Sequence, residues 1–440
     1  MNQTVADRKG RLIRGIGFIG GALLVLNGMI GAGIFALPSV VAASAGLLSP
    51  WLFLAAGVLI ITVVLTFAEL SSYFEESGGP ALYALRAFGP LTGFSTGWLY
   101  FVSRAAAVAA NCHVIAIYLG ALSPWFDTET GHVVVIVVFI GSLTLINAIG
   151  IKSGIRSLAL FTLLKLVPLL ILIVLGLQFV TPEILFPENL PTIDDLGGMT
   201  LLLIYAFVGF EQVLVPAGET SKPTETIPRA MVLTVIVTAI FYFLIVLTYV
   251  SVLSDGFSEG ATLVDVGHEL AGPIGAIVIS VTAVFSIGGN LSGIMLAIPR
   301  LTLSLADHRL LPQWFGRINE KFSSPVNSII FLGGVSAALA LSGSFVFLAT
   351  AVSLTRLLVY VVRIAALPVI KGKVDRGAIE RAYRLKGGYT IPLIALSLCL
   401  WMISHSSTEA WGLTGLLLVV GLVLYWLEQL SIKRQQTARG

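Results

Sequence analysis

Five charged side chains stand inside or at the edges of apolar stretches: Glu69, Arg104, Lys165, Glu211 and Arg356. A charge at membrane depth costs about 3 kcal/mol or more, so each should face a cavity or a partner. They accompany two glycine-broken apolar segments. One runs from Gly28 to Pro38 (Gly-Met-Ile-Gly-Ala-Gly-Ile-Phe-Ala-Leu-Pro), the other from Tyr205 to Pro216 (Tyr-Ala-Phe-Val-Gly-Phe-Glu-Gln-Val-Leu-Val-Pro). Unwound backbone persists in a membrane only where it is buried in protein or lines a cavity. Two such breaks at matching places in two halves point to a central binding site. At Gly31-Ala32-Gly33, backbone N–H groups at a half-helix N-terminus can hold an anionic group such as a carboxylate. The opposing carbonyls can take an ammonium. Plain small-residue packing is the alternative, because Gly28, Ala32 and Ala36 recur every four residues.

The first break therefore nominates Ile30, Gly31, Ala32 and Gly33 as substrate-binding, and the second nominates Tyr205, Ala206, Phe207, Val208 and Gly209. The second helix is expected to open over Ala206 to Gly209. Tyr205 either closes over a ligand or packs as a buried ring. Glu211 either fixes the unwound strand by accepting backbone N–H bonds or takes part in proton movement; both stay open.

The elements that carry these residues are transmembrane helices. Hydrophobic residues make up 57% of the chain and charged ones 11%, and mean hydropathy is +0.97. A soluble chain of 440 residues cannot hide so much apolar surface, so the solvent is lipid. Twelve near-spanning apolar stretches can be marked: 15–43, 47–73, 90–120, 132–149, 156–180, 197–217, 229–253, 272–304, 326–342, 345–369, 390–404 and 410–430. Alternate loops carry 23 of the 26 Lys and Arg, Arg363 counted among them, and the opposite loops carry acids. That bias puts both termini in the cytoplasm. Nothing indicates nucleic-acid binding, a cofactor, a metal-ligand spacing or a cleavable signal. Cys112 and Cys399 sit in apolar segments, away from any loop suited to a disulfide. No catalytic set is present, so an enzyme is not expected.

The breaks lie in spans one and six, five spans apart, which gives the two halves opposite orientation. The expected architecture is an all-α membrane protein with a 5+5 inverted repeat plus two extra helices, helices 1 and 6 being unwound at the midplane. Its parts are a cytoplasmic tail (1–14), one transmembrane domain (15–430, with repeats at 15–180 and 197–369 and extra helices at 390–430) and a C-terminal tail (431–440).

Gly-Met-Ile-Gly-Ala-Gly-Ile-Phe, Phe-Ala-Glu-Leu followed by Gly78-Gly79-Pro80, and Gly209-Phe210-Glu211 together resemble the amino acid–polyamine–organocation (APC) family. Ile227-Pro228-Arg229-Ala230, Arg300 with Ala306-Asp307, Leu311-Pro312 and Ser324-Pro325 extend the resemblance over nearly the whole chain. The departures are Gly218-Glu219, Lys222-Pro223 and Asp307-His308. The resemblance implies a LeuT-type fold and secondary transport of amino acids or related amines.

Lys165 lies about 14 Å into span five at 1.5 Å per residue. The segment Phe161 to Leu166 resembles the one whose lysine replaces the second sodium ion of sodium-coupled relatives. The resemblance implies an ammonium bridging spans one and eight, received by Ser286, Asn290 or Ser292. The buried amine could also hand on a proton; snorkelling to the interface is the alternative. Ser103-Arg104 through Asn111 to Leu119 resembles the L-type amino-acid transporter branch. Arg104 would hold a substrate carboxylate or tie span three to an acid or carbonyls. Arg356 would snorkel, pair or gate. Asn111 could line the pocket, and His113 reads as a core residue or a proton carrier.

These residues define a pocket between spans one, three, six and eight. Its lining is mostly small and apolar (Ala32, Ala206, Val208, Ile294), and no acid faces the place of a cationic side chain. The expected function is sodium-independent transport of neutral L-amino acids by alternating access in a bacterial-type inner membrane, coupled to protons or running as exchange. Alternatives are a cationic amino-acid or polyamine exchanger, an exporter and, more distantly, a membrane sensor. The loop after span three lacks the cysteine that would link a heavy chain, so no such partner is expected.

Overall fold

The computed structural model describes residues 16–74, 79–149, 155–186, 193–215, 217–253, 260–322, 324–373, 383–385 and 387–437. The tail at 1–14, Gly78, Pro216 and the end of the C-terminal tail lie outside them. The regular elements are helices: α1 (Phe18–Met29), α2 (Gly33–Ala45), α3 (Ser49–Ser71), α4 (Gly79–Phe88), α5 (Pro90–Gly120), α6 (Glu129–Ala148) and α7 (Ile155–Gly176), then α8 (Ile193–Phe207), α9 (Pro223–Val252), α10 (Leu263–Asp307), α11 (Val326–Ser342), α12 (Phe345–Lys373), α13 (Thr390–Ser404) and α14 (Thr408–Thr437). Eight described helical segments are long and apolar enough to cross a bilayer, and four further apolar helices are shorter.

Local chemistry sets many of these boundaries. Pro50, Pro90 and Pro223 sit in the first turn of α3, α5 and α9, where a missing N–H costs nothing. Thr262 and Asp265 form a reciprocal cap at the start of α10. That helix then bends at Ala271 and Gly272, the latter at φ +61°, just before Pro273. The helix after the first break does not stop at Pro38 but continues to Ala45. Proline disrupts only one hydrogen bond here, and packing on the neighbours carries the helix through.

α9 packs along α3 and α1, α12 packs along α5, and α10 lies against α5 and α7. α5 is the most enclosed span, with 83% of its apolar window buried, against 22% for α14 and 28% for α6. Its run of Ala105, Ala106, Ala107, Ala109 and Ala110 is buried and lets neighbouring backbones approach closely. The outer helices turn Leu163, Leu170, Val174, Val138, Leu416 and Val419 outward. So many apolar side chains exposed on long apolar helices are the exterior of an integral membrane protein.

Candidate functional site

α1 ends where Ile30 leaves helical geometry (φ −77°, ψ 85°), and α2 begins at Gly33. The last four carbonyls of a helix have no partner within it. Here each finds one in a distant side chain. Asn290 Nδ2 donates to the carbonyls of Asn27 (2.9 Å) and Gly28 (2.8 Å). Tyr242 OH reaches the carbonyls of Met29 (2.9 Å) and Ala206 (3.1 Å), one in each broken segment. Ile30 O accepts from Lys165 Nζ (2.9 Å) and from Ser286 Oγ (3.3 Å). Lys165 Nζ also donates to Asn27 Oδ1 at 2.5 Å.

The fully buried lysine thus sits against the opened end of α1. Its partners are Asn27 and the Ile30 carbonyl. Ser286 shares that carbonyl, Asn290 holds the preceding turn, and Ser292 donates to Gly288 O on its own helix. Asn27 had not been singled out, although a lone amide one turn before a glycine break was a readable signal.

In the second segment the helix stays intact through Phe207 and opens at Val208 and Gly209, a narrower break than Ala206 to Gly209. Only glycine readily accepts the φ of +125° found at Gly209. A short 3₁₀ turn, Phe210–Leu214, follows. The two breaks meet backbone to backbone. A Cβ on Gly28 would lie 2.5 Å from Gly209 O, and one on Gly33 would lie 2.9 Å from Ala206 Cα.

A chain of side-chain hydrogen bonds ties the segments together. Tyr205 OH donates to Asn111 Oδ1 (2.7 Å), and Asn111 Nδ2 donates to Asn290 Oδ1 (3.0 Å). Asn290 then donates to the Asn27 carbonyl, and the Asn27 side chain receives Lys165. Ile30, Ala32, Asn111, Tyr205, Ala206, Val208 and Ile294 are each less than a tenth exposed. Phe207 turns from the break toward Tyr242, ring centres 5.3 Å apart. The Tyr205 ring meets Phe345 edge-on at 5.7 Å.

Glu211 lies on the other side of the second break, fully buried. One oxygen receives Arg104 Nη2 (3.1 Å) and pairs with Arg356 Nη1 (2.7 Å). The other accepts the Gly209 N–H (3.2 Å) and Tyr360 OH (3.4 Å). The acid therefore binds the unwound strand to α5 and α12. Arg356 also donates from Nε to Ser103 Oγ (3.0 Å) and lies 4.2 Å over the Tyr100 ring. Arg363, counted with the loop bases in the sequence, is fully buried in α12, with Phe67 4.7 Å beneath its guanidinium. Standing eight residues before Lys371, it resembled part of a basic helix end. Glu69 pairs with Lys371 at 2.5 Å and accepts from Tyr73 OH.

His113 lies apart, hydrogen-bonded to His132 (3.0 Å) and to Ala340 O (2.9 Å) beside a cavity of about 630 Å³ that Asp127 and Glu129 also line. Cys112 and Cys399 are buried free thiols.

A sequence model of the family described as amino acid permease matches residues 16–420. The chain is 27% identical to the serine/threonine exchanger SteT of Bacillus subtilis, over 93% of this chain and 96% of that one. It is 29% identical to an uncharacterized transporter of Mycobacterium tuberculosis, over 76% of this chain and 75% of that one. With that match spanning nearly its full length, the chain belongs to the amino acid permease family of the APC superfamily.

Proposed function

We propose that the chain is a secondary active transporter of neutral L-amino acids, working by alternating access without sodium. The observation that carries this reading is Lys165 Nζ seated on Asn27 Oδ1 and the Ile30 carbonyl at the end of α1. A fixed cation there occupies oxygens of the kind that coordinate a coupling ion at a broken helix. It would keep the break ordered through the cycle, with exchange or proton movement in place of a sodium gradient.

Around the breaks, Ala32, Ala206, Val208 and Ile294 offer an apolar wall to a side chain. The first N–H groups of α2 suit a carboxylate. Glu211 is held by two arginines and so is engaged elsewhere than on a cationic substrate, which argues against the polyamine and cationic amino-acid alternative. The name of the Bacillus subtilis relative puts serine and threonine first among substrates to try. The proposed arrangement has twelve spans, the first ten as a 5+5 inverted repeat, with both termini in the cytoplasm of a bacterial-type inner membrane.

Counterflow in proteoliposomes tests the reading, with labelled serine, threonine, alanine or leucine outside and each amino acid or polyamine loaded inside in turn. Saturable counterflow by neutral amino acids, unchanged when sodium is replaced by choline, is the expected result. Net uptake with and without an inward proton gradient then separates symport from exchange. Counterflow only by basic compounds, or strict sodium dependence, would overturn the proposal.

A further inference from the structure

We infer that the buried arginine cluster on α5 and α12 is a binding site for one small monovalent anion, centred on Arg363. Three guanidinium groups, Arg104, Arg356 and Arg363, gather where Glu211 is the carboxylate they share. A guanidinium does not shed its proton in a protein, so among these four described side chains two positive charges are left over. Glu211 has no capacity to spare, since its oxygens already serve Arg104, Arg356, Tyr360 and the Gly209 N–H. The nearby acid of α3, Glu69, is engaged by Lys371 and Tyr73.

Arg363 carries the excess. It is fully buried, and among the described residues none of its Nε, Nη1 and Nη2 atoms has a hydrogen-bond partner. Around it stand the rings of Phe67 (4.7 Å), Tyr83 (5.9 Å) and Tyr100 (5.9 Å). Rings soften the cost of burying a cation but leave its donors unsatisfied. Charged donors without acceptors in an apolar wall call for an acceptor that carries negative charge. Arg363 lies two turns beyond Arg356 toward the Lys371 end of α12. The cluster thus extends from the second break toward the basic-loop face, walled by α3, α4, α5 and α12. Resting here on the proposed alternating-access cycle, opening of that half would bring Arg363 to an anion from solution. The shared chemistry is a single small anion, either an inorganic halide or the carboxylate of an amino acid leaving the breaks.

The full chain, purified in detergent, is titrated with chloride and with bromide at constant ionic strength, gluconate being the replacing ion. Thermal unfolding and binding of labelled chloride are the readouts. Saturable stabilisation and binding of about one halide per chain are expected, with the saturable component lost in Arg363→Gln. Absence of saturable binding in the unsubstituted chain, or undiminished binding in Arg363→Gln, would overturn the site. Should that variant fail to fold, bromide located by anomalous scattering in the unsubstituted protein decides: a peak at Arg363 supports the site, and a peak only elsewhere overturns it. Displacement of chloride by serine but not by ethanolamine would assign the position to a substrate carboxylate; indifference to both would assign it to an inorganic ion. Because binding is read without transport, the test stands or falls separately from the substrate reading.

Discussion

Lys165 concentrates the functional argument in one atom. Its amine is a donor at the opened end of α1, and the Ile30 carbonyl it serves keeps Ser286 as a second donor. Removing the amine leaves the Asn27 amide oxygen without that donor, a loss of about 1–3 kcal/mol for a buried acceptor. That is smaller than the 5–15 kcal/mol or so by which a folded domain is stable, so insertion and folding should survive. Transport should not, if Lys165 plays the part proposed for it at the break. Lys165→Ala and Lys165→Met, the latter keeping the apolar stem, are both expected to retain membrane expression and a monodisperse elution profile while counterflow falls to the level of empty liposomes. Normal counterflow by either variant would remove the lysine from the transport cycle.

At the scale of the helices, two breaks fit into each other. Gly209 has two independent requirements: its φ of +125°, and the Gly28 carbonyl lying where a Cβ would go. An alanine there costs about 1–3 kcal/mol for the backbone alone, before any clash. Gly334, within α11, has nothing within 4 Å of the corresponding position. Gly209→Ala should therefore abolish counterflow and lower the melting temperature, whereas Gly334→Ala should leave both within error. Equal behaviour of the two variants would show that the interlock is dispensable. The same contrast explains what could be read from the chain. Glycine's freedom is local, so the broken segments announce themselves in sequence. What holds them open is not local: Asn290 and Lys165 reach α1 from about 260 and 140 residues away, and Tyr242 bridges both breaks. An amide or tyrosine in an apolar run carries no mark of its partner. Arg363 was misplaced for a related reason, since a basic residue about three turns from a helix end looks the same whether it faces water or the core.

The whole molecule is polarised in two directions. Across the bundle, apolar side chains face outward and a connected polar path runs inside from Tyr205 to Lys165, with the arginine cluster beyond the second break. Along the bundle, the bases crowd one set of loops and the acids the other. The first polarity gathers the polar path; from the second, the tendency of basic loops to stay in the cytoplasm predicts which way the molecule faces. Thr130, at the start of α6, and Glu320, between α10 and α11, are both exposed and belong to opposite sets of loops. The two native cysteines are buried and should give little background. In intact cells a membrane-impermeant maleimide should label Thr130→Cys, while Glu320→Cys should react only after the membrane is opened. The reverse pattern would invert the orientation, placing the basic loops and the Arg363 end of α12 toward the outside. Labelling of both sites in intact cells would break the alternation of loops itself, and with it the odd number of crossings per half that inverts one half against the other.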